Sequence, residues 1–210
     1  MQTNILTQKA KLLFPKLSNF KDAFYLAGGT GLALQIGHRA SVDFDLFSGA
    51  PIKKTLLKKV EEVFNGESRE VLVNNSRELT LIVGGVKFTF LHYPFQVMLP
   101  LNKSEPIPML SVKEILGGKA YTIGRRGELK DYVDVYVGLK DKHTSLSEMI
   151  DLAVKKFGEA FNDRLFLEQL VYLDDIDDVD IAMVSGVVPS KSELTDFFST
   201  TIRGSNLLGM

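Results

Sequence analysis

A chain of 210 residues with 45% hydrophobic content can form one large or two small domains around a substantial core. Its 25 basic and 26 acidic side chains give a net charge of −1, which excludes nucleic-acid binding by overall charge but not by a local basic patch. The absence of cysteine excludes disulfide frameworks and thiolate zinc sites; no apolar run approaches a membrane span, and the opening Met1-Gln2-Thr3-Asn4 lacks a charged stretch ahead of an apolar one, so a soluble cytoplasmic protein is expected.

The first element expected is an amphipathic helix over residues 3–19. Its apolar side is Ile5, Leu6, Ala10, Leu12, Leu13 and Leu17, interrupted at Pro15. A short apolar run over residues 24–27 reads as a buried strand, closed by Gly28 and Gly29. Two glycines allow a tight turn and leave no side chain between the backbone and a bulky group. Thr30 then opens a helical run over residues 31–37. A helix N-terminus beside a glycine turn presents free N–H groups and the positive end of a dipole, which suits a phosphate, and the Thr30 hydroxyl could add a donor. The same glycines could also make no more than a turn.

His38, Arg39 and Ala40 lead through Ser41 into a second strand. Alternation puts Val42, Phe44 and Leu46 on one face and Asp43, Asp45 and Phe47 on the other. Carboxylates two residues apart on a strand lie roughly 6–7 Å apart at Cα. They are either a solvated strand face or a site for a hard cation, Mg²⁺ or Mn²⁺, which would relieve their repulsion. Arg39 is either a surface residue or a counter-charge to the carboxylates or a phosphate.

Gly28-Gly29-Thr30, Arg39, Ser41, Asp43, Asp45 and Phe47, taken together, resemble the nucleotidyltransferase superfamily, and within it the AbiEii/AbiGii-type nucleotidyltransferase toxins of abortive-infection and toxin–antitoxin systems. That family opens with G-G/S-T/S, a short helix and R-x-S/T-x-D-x-D-L. The resemblance implies an α+β fold: a nucleotidyltransferase mixed β-sheet core followed by a C-terminal helical part that closes the cleft. It implies an NTP as substrate, Gly28, Gly29 and Thr30 cradling the triphosphate with Arg39 and Ser41 beside it, and Asp43 and Asp45 holding Mg²⁺ or Mn²⁺. It also implies an RNA acceptor, tRNA in particular, or a protein hydroxyl, and a separately encoded antitoxin.

After a turn at Ser48-Gly49-Ala50-Pro51, residues 53–64 have helical spacing, with Lys53, Lys54, Lys58 and Lys59 on the exposed side. That face is either simply solvated or a basic surface that steers a nucleotide or RNA. Strands are expected over residues 70–73, 78–83 and 86–93, the last two joined by Gly84-Gly85 as a two-residue hairpin. The superfamily places a third carboxylate on a later strand, and the resemblance lands that position at Thr89. The departure leaves two carboxylates for metal and leaves open one-metal transfer, a nucleotide-binding protein without catalysis, or a kinase-like phosphotransferase. His92 ends the strand and reads as structural.

Four prolines between residues 94 and 110 mark an irregular linker, so domains are expected over 1–98 and 99–210. Ser111 with Glu114 has the spacing of a capping box, ahead of a helix that carries Lys119. Then come Arg125 and Lys130-Asp131-Tyr132-Val133-Asp134. This half resembles K-x-x-A-L-x-x-R and K/R-D-x-x-D-L-Y of the same toxins. The resemblance implies functional roles for Lys119, as a cation for phosphate charge, and Asp131, as its orienter or a general base. Asp131 and Asp134 also suit the first turn of a helix electrostatically, and Asp134 reads as mainly structural. Gly117-Gly118 would allow the sheet or a substrate to come close. Helices are expected over residues 145–157, 162–172 and 190–202, with the acidic residues 173–180 as a solvated connection rather than a calcium loop.

Overall fold

Apolar residues alternate along residues 44–48, 79–83 and 86–90, and in the computed structural model, which describes residues 1–205, these become strands with one buried face. The chain divides into two units, Met1–Ser111 and a second from Val112 onward. The first holds a five-stranded mixed sheet in the order β1-β2-β5-β4-β3, made by β1 (Tyr25–Ala27), β2 (Phe44–Ser48), β3 (Arg69–Asn74), β4 (Glu78–Val83) and β5 (Val86–His92). β2 pairs antiparallel with β1 and parallel with β5, in register Phe44 with Phe88 and Asp45 with Thr89; the β3–β4 and β4–β5 pairs are antiparallel. Gly84 and Gly85 turn β4 into β5 with φ of 55° and 83°, both in the left-handed region that a primed hairpin turn needs.

One face of this sheet is apolar. Phe44, Phe88 and Phe90 are buried on it and meet Phe14, Phe20, Phe24 and Phe64 at ring-centroid distances of 5.0–5.8 Å. Each such ring contributes about 1.5–3 kcal/mol by leaving water. Polar contacts on the opposite face contribute about 1 kcal/mol each. The apolar face therefore sets the register of β2.

The covering elements differ from the single N-terminal helix expected. Residues 3–19 are broken into a 3₁₀ turn at Thr3–Ile5, α1 (Gln8–Leu13) and a 3₁₀ run at Phe14–Phe20. Thr7 caps α1 by accepting from Ala10 N, and Pro15 removes the amide that would have continued it. α2 (Gly28–Ile36) starts at the first glycine, and α3 (Leu56–Val63) covers the core with Leu56 and Val60. The proline-bearing segment is irregular but stays with the first unit as far as Ser111, past the boundary expected after residue 98. Leu26 donates its amide to Pro108 O at 2.8 Å and accepts from Leu110 N at 2.9 Å, so residues 108–110 close the free edge of β1.

The second unit is helical: α4 (Val112–Arg126), α5 (Leu129–Lys140), α6 (Leu146–Phe157), α7 (Asp163–Val171) and α8 (Lys191–Gly204). Ser145, Asn162 and Ser190 cap α6, α7 and α8 by accepting from the amide three residues on, as their positions before apolar runs suggest. Glu114 is buried, with its carboxylate 2.6 Å from Lys156 Nζ of α6. Gly117 approaches α6 rather than a sheet: a Cβ there would lie 3.2 Å from Leu152. Among the described residues no helix is long and apolar enough to cross a membrane.

Candidate nucleotide site

β1 ends at Ala27, which is in register with Asp45 of β2, and α2 begins at the next residue. Gly28 has φ of +62°, a conformation that side chains disfavour. A methyl group at its Cα would lie 2.2 Å from Asp45 Oδ2. The Asp45 carboxylate thus fills the space left by the absent side chain, against the N-terminus of α2, whose partial positive charge favours an anion.

Thr30 and Ser41 hold the approach to β2. Thr30 is buried; its hydroxyl donates to the backbone carbonyl of Asp43 and lies 2.6 Å from Ser41 Oγ. A hydroxyl carries one proton and that carbonyl can only accept, so Ser41 donates to Thr30. The pair fixes the backbone at Asp43 from α2. Arg39 is buried and donates from Nη1 to Ala40 O at 3.1 Å.

Asp43 lies one residue before β2, half-exposed, with Lys87 Nζ 3.3 Å from its Oδ2. Asp45 faces Thr89 across the parallel β2–β5 pair, and Thr89 faces Thr80 of β4, whose hydroxyl donates to Glu78 at 2.6 Å. The polar face of the sheet thus carries a row Asp45, Thr89, Thr80, with Lys87 beside Asp43. Among the described residues no group of three or more His, Asp or Glu side chains is gathered as a metal site. Two carboxylates, one of them in a cradle that a Cβ would fill, are a donor set suited to one Mg²⁺ or Mn²⁺ completed by water and phosphate oxygens.

Lys119 and Asp131 meet inside the second unit. Lys119 of α4 reaches α5, with Nζ 2.5 Å from Asp131 Oδ1 and 2.9 Å from Asp134 Oδ2, all three side chains buried. Asp131 Oδ2 also accepts from Glu128 N at 3.1 Å, closing a capping box on α5. Burial alone would favour neutral Lys119, but Asp134 and Asp131 outweigh it and raise the Lys119 pKa, so the ammonium stays charged. Asp134 therefore holds the lysine together with Asp131. Its spacing, one helical turn from Asp131, signals that the two can face one partner.

Lys87 carries no motif. Period-2 alternation from Thr89 places it on the Asp face, but only the parallel β2–β5 register brings it to Asp43.

Residues 11–106 match the family model described as nucleotidyl transferase AbiEii toxin, type IV toxin–antitoxin system. An uncharacterized protein of Aquifex aeolicus is 28% identical over 183 residues, covering 86% of each chain. The fold is similar to that of a nucleotidyltransferase described from Helicobacter pylori, with a TM-score of 0.59 at 16% identity over 96% of this chain and 98% of that one. It is also similar to MenT4, a nucleotidyltransferase toxin of Mycobacterium tuberculosis, with a TM-score of 0.60 at 18% identity over 90% of this chain and 80% of the other. Residues 11–106 are thus similar in sequence to the AbiEii nucleotidyl transferase toxin family, and the fold of the chain is similar to that of solved nucleotidyltransferases.

Proposed function

We propose that the protein transfers a nucleotidyl group from an NTP to a hydroxyl of an RNA, tRNA in particular, or of a protein, as the toxin of a two-component system with a separate antitoxin. The observation that carries this reading is the Asp45 carboxylate seated over Gly28 at the start of α2. An acid for a cation and backbone amides for a phosphate chain meet there through the pairing of Ala27 with Asp45.

Asp43 and Asp45 would hold Mg²⁺ or Mn²⁺, which when bound neutralises phosphate charge and polarises the transferred phosphoryl group. The backbone amides at Gly28 and Gly29 receive the triphosphate. Thr30 and Ser41 keep the Asp43 backbone in place, and Arg39 supplies charge beside it. Within the second unit, Lys119 is assigned the role of a compact cation, and Asp131, which is ion-paired with it, that of its orienter or of a general base. The acceptor oxygen bonds to the α-phosphorus, the bond to the bridging oxygen breaks, and pyrophosphate leaves. Positioning and charge neutralisation account for most of such catalysis.

Thr89 lies opposite Asp45, and the resemblance puts the superfamily's third carboxylate at that position, which supports a second reading, nucleotide binding without turnover. Incubation with each NTP labelled at the α- or γ-phosphate, Mg²⁺ and total RNA or protein separates the readings. Transfer of α-label supports nucleotidyl transfer. Transfer of γ-label means a kinase-like phosphotransferase, and retention of nucleotide without transfer means the binding-only protein.

A further inference from the structure

We propose that Lys87 is the resident counter-ion of the carboxylate pair: its ammonium holds Asp43 while no metal is bound and moves to the triphosphate when metal and nucleotide arrive. This rests on the metal-site reading above. Four observations place it. The β2–β5 pair runs parallel with Phe44 opposite Phe88 and Asp45 opposite Thr89, so residue 87 falls beside residue 43 on the polar face. Nζ lies 3.3 Å from Asp43 Oδ2, on the oxygen that a cation would also seek. Lys87 is 44% and Asp43 39% exposed, so the pair is held by a weak, open contact that another cation can displace. Its partner on β4 is Ile82, so no acid opposite on that strand competes for the ammonium.

With Thr89 in place of an acid, the β5 positions facing the site are Lys87, Thr89 and Leu91. The strand thus presents one positive charge and no carboxylate at these positions. A lysine is suited to the exchange: it is a point charge on a flexible stem and can leave a carboxylate for a nearby phosphate oxygen. The two states have opposite consequences. Without nucleotide, the ammonium competes with the metal. With the triphosphate bound, it adds to the attraction.

The test measures Mn²⁺ binding by the electron paramagnetic resonance signal of free Mn²⁺, with and without inorganic tripolyphosphate, which carries the phosphate chain without committing to a base. Wild type is compared with Lys87→Met, Lys87→Arg, Asp43→Asn and Asp45→Asn at low salt, with melting curves as a check of folding. Lys87→Met is expected to bind Mn²⁺ alone about 3- to 10-fold more tightly, the size of a unit charge acting on a divalent ion at a screened surface site. The same variant is expected to bind Mn²⁺–tripolyphosphate more weakly by a similar factor, and Lys87→Arg to track wild type in both. A lysine that only braces the fold would move both affinities in one direction or neither, and either result overturns the proposal. If the Asp variants lose Mn²⁺ and Lys87→Met is unchanged, the inference about Lys87 alone fails. If Mn²⁺ binding persists in both Asp variants, the metal-site reading fails and carries this one with it.

Discussion

Gly28→Ala separates two effects that coincide at one atom. The first is backbone strain: φ of +62° costs a non-glycine residue about 1–2 kcal/mol. At about 4–8 °C per kcal/mol for a domain of roughly 100 residues, that lowers the melting midpoint by about 4–16 °C. The second is displacement. The added methyl would lie 2.2 Å from Asp45 Oδ2 and 3.0 Å from its Cγ. The obstacle is the far end of a rotatable side chain, so the carboxylate swings away and the cost falls on the cation site rather than on the core. Gly85→Ala is the control, because Gly85 has φ of +83° and a methyl group on its Cα would meet nothing within 4 Å, giving strain without displacement. Both variants should melt lower by similar amounts, while Mn²⁺ affinity falls at least about tenfold, or roughly 1.4 kcal/mol, in Gly28→Ala alone. Equal Mn²⁺ affinity in the two variants would refute the argument that the missing side chain makes room for the acid.

Lys156→Met should cost about 3–5 kcal/mol in chemical denaturation, because it strands the buried Glu114 carboxylate, whereas Glu114→Leu with Lys156→Met should be neutral or stabilising. Glu148 is held at about 2 instead of its ordinary 4.5, first by Lys113 and then by the Ser145 amide. Its folded pKa is depressed, so its stabilisation is present above pH 4.5 and lost as the pH falls toward 2; Glu148→Gln should flatten the acid limb of stability in that window. Lys119 has the opposite sign. Its folded pKa is raised, so its contribution is complete below its ordinary 10.5 and declines only in stronger alkali, and a pH titration of unfolding up to 10 should show no step that Lys119→Met removes.

Much of both units was legible where the signals are local. Alternation at residues 42–47 gave both faces of β2, Gly84-Gly85 gave the hairpin, and Ser145, Asn162 and Ser190 gave the helix starts. What stayed hidden depends on partners distant in sequence. The Lys87–Asp43 pair needs the parallel register, and Asp134 needs α4 beside α5 before its carboxylate acquires Lys119. The expected boundary after residue 98 followed the prolines, whereas the chain continues to hydrogen-bond with Leu26 as far as Leu110. The apolar spacing over residues 3–19 shows the interruption at Pro15 but not the start at Thr7, whose side chain caps α1 and separates it from the preceding 3₁₀ turn.

The insertion of β5 between β2 and β4 has a consequence for when the chemistry can exist. A chain still emerging from the ribosome can display the glycine turn and both acids, yet β2 lacks its parallel neighbour until α3, β3 and β4 have been laid down and the last strand slots into the gap. Any fluctuation that withdraws that strand removes Thr89 and Lys87 from beside the acids at once. Thr89 and Lys87 thus join or leave the acids together, with the strand that carries them.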